Sequence, residues 1–153
     1  MLTSSIDSRS TIPLSELDEP VDLNVEAHQG PFQGTDIARL AVIKKLTGAE
    51  VVRGMAHITG GGITENLPRI LPKGLGAVVD LGSWQPPPIF EHLQVLGNVA
   101  QDEMLRTFNM GIGLICVVPA EKVKKAKAIL NRANERHCII GRVTRGERKV
   151  TYN

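Results

Sequence analysis

The apolar positions along the chain mark short strands and helices. Residues 112–118 give the clearest strand pattern, since they are rich in β-branched residues and bounded by glycine and proline. An amphipathic helix follows over about residues 120–134, with one apolar stripe and its lysines turned elsewhere. Final strands are predicted over 138–144 and 149–152. This order favours an α/β (α+β) fold, a mixed β-sheet with helices packed mainly on one face.

The chain before residue 112 is predicted to alternate helices with strands. Glycine and proline residues mark where these elements begin and end. The helices are predicted over residues 36–47, 64–70, 89–96 and 102–108, and the strands over residues 51–59 and within 74–82.

Residues 1–35 differ in character from the remainder. They mix Ser, Thr, Asp, Glu, Pro and Gly with isolated apolar residues at no steady period. Such a stretch cannot bury enough apolar surface to offset the entropy lost on ordering. We therefore expect a weakly ordered N-terminal segment over residues 1–35 and a folded domain over residues 36–153.

Composition indicates one soluble globular domain. The 153 residues are 42% apolar and 22% charged, with a net charge of +2. No apolar run is long enough for a membrane helix, no secretion signal is recognisable, and two cysteines fit a reduced, cytoplasmic protein. An aromatic content of 3% argues against a base-stacking surface for nucleic acid.

The charge is unevenly distributed along the chain. Residues 1–50 contain four basic and eight acidic residues, whereas residues 51–153 contain fourteen and eight. A basic C-terminal region can meet phosphates, nucleic acid or an acidic partner, or it can be a solvated helix face followed by a basic strand. Both interpretations stay open at this stage.

The first candidate site is the segment His-Ile-Thr-Gly-Gly-Gly-Ile-Thr-Glu-Asn at residues 57–66. Glycines let backbone N–H groups approach an anion closely, and a following helix start adds positive potential. Thr59 and Thr64 add hydroxyl donors, and Asn66 adds an amide. The alternative is a merely tight turn between a strand and a helix.

Two titratable residues in this segment have competing interpretations. His57 can act as an acid, a base or a phosphate donor, or it can be a hydrogen-bonded structural histidine. Glu65 can be a general base or a magnesium ligand, although an acid at a helix start is ordinary dipole complementarity. The histidines and cysteines show no metal-ligand spacing, so no metal site is predicted.

The second candidate site is Arg-Thr-Phe-Asn-Met-Gly-Ile-Gly at residues 106–113. Arg106, Thr107 and Asn109 place several donors beside a glycine-spaced turn, which suits a phosphate or an amide ligand. The glycines can instead be there because backbone packs closely against them.

These segments together resemble the C-terminal domain of phosphoribosylformylglycinamidine cyclo-ligase, also called AIR synthetase. The resemblance covers about residues 51–144, and its motifs follow the family's order and approximate spacing. The matching stretches are Gly54–Pro72, Asp80–Trp84, Pro87–Phe90, Met104–Gly113, Val117–Pro119 and Ile140–Val143.

The resemblance implies an enzyme of de novo purine biosynthesis that uses ATP and Mg²⁺ to convert formylglycinamidine ribonucleotide to aminoimidazole ribonucleotide. It implies catalytic roles for His57 and Asn109. It also implies a set of residues that bind or support the substrate phosphate, namely Thr59, Gly60, Gly61, Gly62, Thr64, Asn66 and Arg106.

Family enzymes are longer and carry an N-terminal domain that supplies most ATP-binding residues. That domain has no counterpart in this sequence, so we expect a truncated or split enzyme that is inactive alone and relies on a separate ATP-binding subunit or a homodimer. The alternative is a non-catalytic module that binds a ribonucleotide phosphate or another protein. We expect neither a membrane nor nucleic acid as its partner.

Overall fold

A computed structural model describes residues 21–26 and 36–153. Within these ranges the chain forms six strands and five α-helices, with 3-10 turns at Leu67–Ile70, Leu81–Ser83 and Ala120–Lys122. The strands are β1 Val21–Glu26, β2 Gly54–His57, β3 Leu75–Val79, β4 Leu114–Pro119, β5 Cys138–Arg145 and β6 Val150–Tyr152. The helices are α1 Asp36–Gly48, α2 Gly62–Asn66, α3 Pro88–Gly97, α4 Gln101–Thr107 and α5 Val123–Arg132.

The strands form one sheet in the order β2-β4-β1-β5-β3-β6. Neighbouring strands are antiparallel, except that β6 runs parallel to β3. The mixed α/β fold class is therefore confirmed. The candidate segment at residues 57–66 begins at the end of β2, which is an edge strand of this sheet.

The expectation of a weakly ordered segment over residues 1–35 is wrong for residues 21–26. These residues form β1, which pairs with β4 on one side and with β5 on the other. The physical reason is that two backbone ladders stabilise a strand whose short local sequence gives little signal of its own. The other residues of the segment, 1–20 and 27–35, lie outside the described residues.

Helices cover both faces of the sheet, which corrects the expectation of helices mainly on one face. Alternate residues of β4 enter two different cores. Ile115 and Val117 pack with α2 and α4, whereas Cys116 and Val118 pack with α1 and α5. A strand that is apolar on both faces needs cover on both, because successive side chains point to opposite sides.

The other predicted elements occur close to their expected positions. The strand expected over residues 51–59 is shortened to β2, and the helix expected over residues 64–70 divides into α2 and a 3-10 turn that contains Pro68. None of the helices found in residues 36–153 is long and apolar enough to cross a membrane.

Candidate functional site

The glycine loop, residues Thr59–Gly62, connects β2 to α2 and has a backbone that only glycine adopts readily. Gly61 and Gly62 have φ angles of +94° and +56°, in the left-handed region. A Cβ atom on Gly62 would collide with the carbonyl oxygen of Leu105 and lie 2.7 Å from that of Phe108. Gly62 therefore allows the loop to pack directly on the end of α4.

Gly60 lies on the opposite, open side of the same loop. It is exposed, and a Cβ atom there would have no neighbour within 4 Å. Within the part of the chain that the structure describes, the N–H groups of Gly60 and Gly61 donate to no protein acceptor. The loop thus presents two adjacent amide donors, an arrangement that suits an anion.

Asn66 holds the glycine loop from the inside. Its side chain is only 6% exposed. Its Nδ2 donates to the carbonyl oxygens of Gly60 and Gly62, at 3.1 and 2.8 Å. The Asn66 side chain fixes these carbonyls and is engaged with the protein, so it supports the loop that carries the amide donors.

The fold brings the second candidate segment against the first. Thr64 Oγ1 donates to the carbonyl oxygen of Leu105 at 3.2 Å. Arg106 Nη2 lies 3.6 Å from Glu65 Oε1, and its Nη1 lies 3.5 Å from Glu103 Oε1. Because these charged side chains are about half exposed, the guanidinium can exchange a carboxylate for another anion at small cost.

Asn109 stabilises the tight turn before β4. Its Oδ1 accepts a hydrogen bond from the N–H of Gly111 at 3.0 Å, and Met110 and Gly111 both have positive φ. Trp84 also stabilises this turn, since its Nε1 donates to the carbonyl oxygen of Met110 at 3.0 Å. Among the described residues, the NH₂ group of the half-buried Asn109 side chain has no acceptor, so it can donate to a ligand.

His57 is the last residue of β2 and is exposed. Strand alternation puts it on the face of Met55, which packs toward α1 and α5. Ile58 and Ile63, which flank the glycine loop, belong to the core on the other face. The structure therefore orients His57 differently from the residues that hold the loop, and its catalytic role stays a prediction.

Tyr152 is a neighbour of the candidate site that the sequence pattern does not indicate. Its hydroxyl lies 2.7 Å from Thr64 Oγ1. Burial raises the pKa of Tyr152, and the nearby Asp102 carboxylate adds to this, while the hydrogen bond with Thr64 acts in the opposite direction. Only its being the sole tyrosine distinguishes it in the sequence.

Two carboxylates near the glycine loop pair with an arginine and do not form a group that could hold a metal ion. Glu65 and Glu103 both face Arg106. Across the described ranges, no three His, Cys, Asp or Glu side chains lie close enough together to hold a metal ion. The donor groups at this site suit an anionic ligand.

Two cyclo-ligases show how closely this chain resembles known proteins in sequence. Phosphoribosylformylglycinamidine cyclo-ligase of Methylobacillus flagellatus is 49% identical over 127 residues, which cover 80% of this chain and 37% of that protein. The cyclo-ligase of a Geobacillus species is 51% identical over 96 residues, 63% of this chain and 28% of that protein. The chain thus spans about a third of the length of these relatives.

Solved structures resemble the fold at low sequence identity. Escherichia coli HypE, a hydrogenase maturation protein, has a TM-score of 0.62 at 17% identity, covering 89% of this chain and 46% of that one. Thermotoga maritima PurL complexed with ADP has a TM-score of 0.59 at 14% identity, covering 88% of this chain and 23% of that one.

A family profile described as "AIR synthase related protein, C-terminal domain" matches residues 15–153. This match begins upstream of β1 and therefore includes the strand that composition alone does not indicate. The chain belongs to the family of AIR synthase related proteins, in the part that corresponds to their C-terminal domain.

Proposed function

We propose that the glycine loop binds the phosphate of formylglycinamidine ribonucleotide. The chain would thereby supply the C-terminal-domain part of the ATP-dependent cyclo-ligase reaction of purine biosynthesis, in the cytoplasm. The observation that carries this proposal is the pair of adjacent amides at Gly60 and Gly61, which have no acceptor among the residues that the structure describes, in a loop held by the buried Asn66. The names of the cyclo-ligase relatives support this choice of ligand.

Each residue near the loop has a role consistent with its contacts. The amides of Gly60 and Gly61 donate to phosphate oxygens, and the exposed Thr59 hydroxyl adds a donor. Arg106 moves from Glu65 to the phosphate, which offers it a charge-assisted pair. Asn109 donates through its NH₂ group toward the reacting part of the substrate.

ATP and Mg²⁺ belong to this proposal as groups that the resemblance assigns mostly to residues outside the C-terminal domain. ATP supplies the activation that ring closure requires, and Mg²⁺ supplies charge for its phosphates. The groups around the glycine loop fit an anion better than a cation, because the amides of Gly60 and Gly61 and the guanidinium of Arg106 are hydrogen-bond donors. The partner is a separate ATP-binding subunit or a second copy in a homodimer.

Calorimetry with two matched ligands tests the phosphate site. The wild-type chain is expected to bind formylglycinamidine ribonucleotide and to bind its dephosphorylated nucleoside at least tenfold more weakly. Gly61→Val is expected to weaken ribonucleotide binding by a similar factor, because its side chain would displace Glu65 and the amide donors.

Gly74→Val is the matched control for backbone strain. Gly74 also has a positive φ, +85° against +94° for Gly61, but it lies in the turn before β3, where a Cβ atom would have no neighbour within 4 Å. Both variants carry a similar conformational cost, so only Gly61→Val should change affinity. Unchanged affinity in Gly61→Val, or equal binding of nucleoside and ribonucleotide, would remove the loop from the phosphate site.

A second candidate is a ribonucleotide-binding or interaction module without catalysis. The observation in its favour is that the donor groups around the glycine loop suit an anionic ligand, and binding such a ligand requires no catalytic group. We expect the purified chain alone to form no aminoimidazole ribonucleotide and to hydrolyse no ATP. Product formed after adding the N-terminal part of a cyclo-ligase supports the enzymatic role, whereas ligand binding without turnover in that mixture supports the module.

A further inference from the structure

Tyr152 is held in place by the edge of the sheet. It pairs with Val79 across the parallel β3–β6 ladder. The next residue, Asn153, donates its N–H to the carbonyl oxygen of Val79 at 3.0 Å and accepts from the N–H of Leu81 at 3.2 Å. The tyrosine side chain packs against the core that also contains Ile63. Its hydroxyl therefore has a fixed position relative to α2.

The contacts of Thr64 define which group donates in this cluster. The carbonyl oxygen of Leu105 can only accept, so the Thr64 hydroxyl donates to it. Thr64 has one proton, and the 2.7 Å contact with Tyr152 must then use the tyrosine proton. The result is a chain of two hydrogen bonds from Tyr152 to Thr64 to Leu105, which joins β6, α2 and α4.

These two hydrogen bonds complement the contacts of Asn66 on the glycine loop. Asn66 fixes the loop carbonyls from within, while Tyr152 and Leu105 fix the helix that follows the loop. We infer that Tyr152 is a positioning residue of the phosphate-binding loop and acts through Thr64. Thr64 then acts within the protein and does not donate to the ligand, because its hydroxyl proton is donated to the carbonyl oxygen of Leu105. The inference rests on the proposed phosphate site.

The test compares Tyr152→Phe with Thr64→Val and with the double variant. Each single change removes a hydroxyl and keeps the side-chain shape, so the fold should survive. Tyr152→Phe removes one hydrogen bond of this cluster and is expected to weaken ribonucleotide binding about fivefold. Thr64→Val removes both hydrogen bonds, so its loss should be at least as large. The double variant should lose no more than Thr64→Val alone, and Thr64→Ser should retain wild-type affinity.

A direct contact between Thr64 and the phosphate would give a different pattern. The losses of Thr64→Val and Tyr152→Phe would then multiply in the double variant, because the contact of Thr64 with the phosphate would not depend on Tyr152. That result would overturn the inference, as would wild-type affinity in Tyr152→Phe.

Hydrogen exchange on the ligand-free chain separates this inference from the phosphate site itself. Tyr152→Phe is expected to speed exchange of the amides of Thr64–Leu67, with exchange in α5 unchanged as the internal control. Unchanged exchange in α2 would overturn the positioning role. Faster exchange in a chain that binds no ribonucleotide would uphold the link from Tyr152 to the loop and reject the phosphate site.

Discussion

Alanine at Gly62 should destabilise the protein far more than alanine at Gly60, two positions earlier in the same loop. At Gly62 a non-glycine residue must hold a φ of +56°, which costs about 1–2 kcal/mol. Its Cβ would also displace the carbonyls of Leu105 and Phe108, and such overpacking costs about 1–3 kcal/mol. The free energy of unfolding should therefore fall by about 2–5 kcal/mol.

Gly60→Ala has neither penalty. Its φ is outside the positive region and its Cβ would meet open space. Alanine at a compatible glycine position stabilises by about 0.4–1 kcal/mol, through the unfolded state. We expect Gly60→Ala to unfold at or slightly above the wild-type temperature and Gly62→Ala to unfold roughly 5–20 °C lower.

Thermal and urea unfolding followed by circular dichroism give both quantities. The comparison is within one loop, so changes in composition and helix content cancel. The contact between the loop and α4 would be refuted by a loss below about 0.5 kcal/mol in Gly62→Ala. An equal loss in both variants would refute the open environment of Gly60.

Three further predictions use the same unfolding assay. Asn66→Ala removes two hydrogen bonds of a buried side chain and should lower the free energy of unfolding by about 1–3 kcal/mol. The control Asn131→Ala, on the exposed face of α5, should change it by less than about 0.5 kcal/mol. Similar losses in the two variants would contradict the role of Asn66. Burial raises the pKa of Tyr152 above its usual 10.0, so its contribution to stability is fully present below about pH 10 and is lost as the pH rises through the higher folded pKa. Wild type should therefore lose stability above pH 10 relative to Tyr152→Phe in urea titrations between pH 8 and about 11.5, and parallel curves would disprove this. Trp84→Phe should cost about 1–3 kcal/mol because the carbonyl of Met110 loses its buried donor, and a wild-type urea midpoint would count against that bond.

The predictable part of the fold is the part where local pattern and packing agree. In α5 the apolar stripe predicted from spacing is buried, through Val123, Ala126 and Leu130, while Lys124 and Lys125 are exposed. A helix of this kind is recognisable from sequence because its period matches the side it buries.

β1 shows the opposite situation. The six residues Val-Asp-Leu-Asn-Val-Glu do alternate, but they stand within a polar stretch whose composition favours disorder. Their hydrogen-bond partners lie in β4 and β5, far along the chain. Pairing between distant segments is a tertiary effect that local propensity does not contain.

The candidate site is likewise only partly predictable from sequence. Both donor-rich segments can be selected from sequence, since glycines and polar residues at a strand end are a local signal. The contact between the two segments cannot be predicted from sequence, because Thr64 bonds to a carbonyl 41 residues away and to a hydroxyl 88 residues away. The same packing assigns Asn66 to the loop interior, where sequence spacing suggests a ligand contact.

The central position of β1 also has a consequence for how the chain folds. Its Leu23 pairs with Val117 on one side and with Gly141 on the other, so the middle of the sheet cannot close until almost the whole chain is available. Contacts between such distant residues slow folding, because loop-closure entropy is lost before the contacts form. We expect refolding to be slower than that of helical bundles, which fold in microseconds to milliseconds, with both edges of β1 protected only once β4 and β5 have formed.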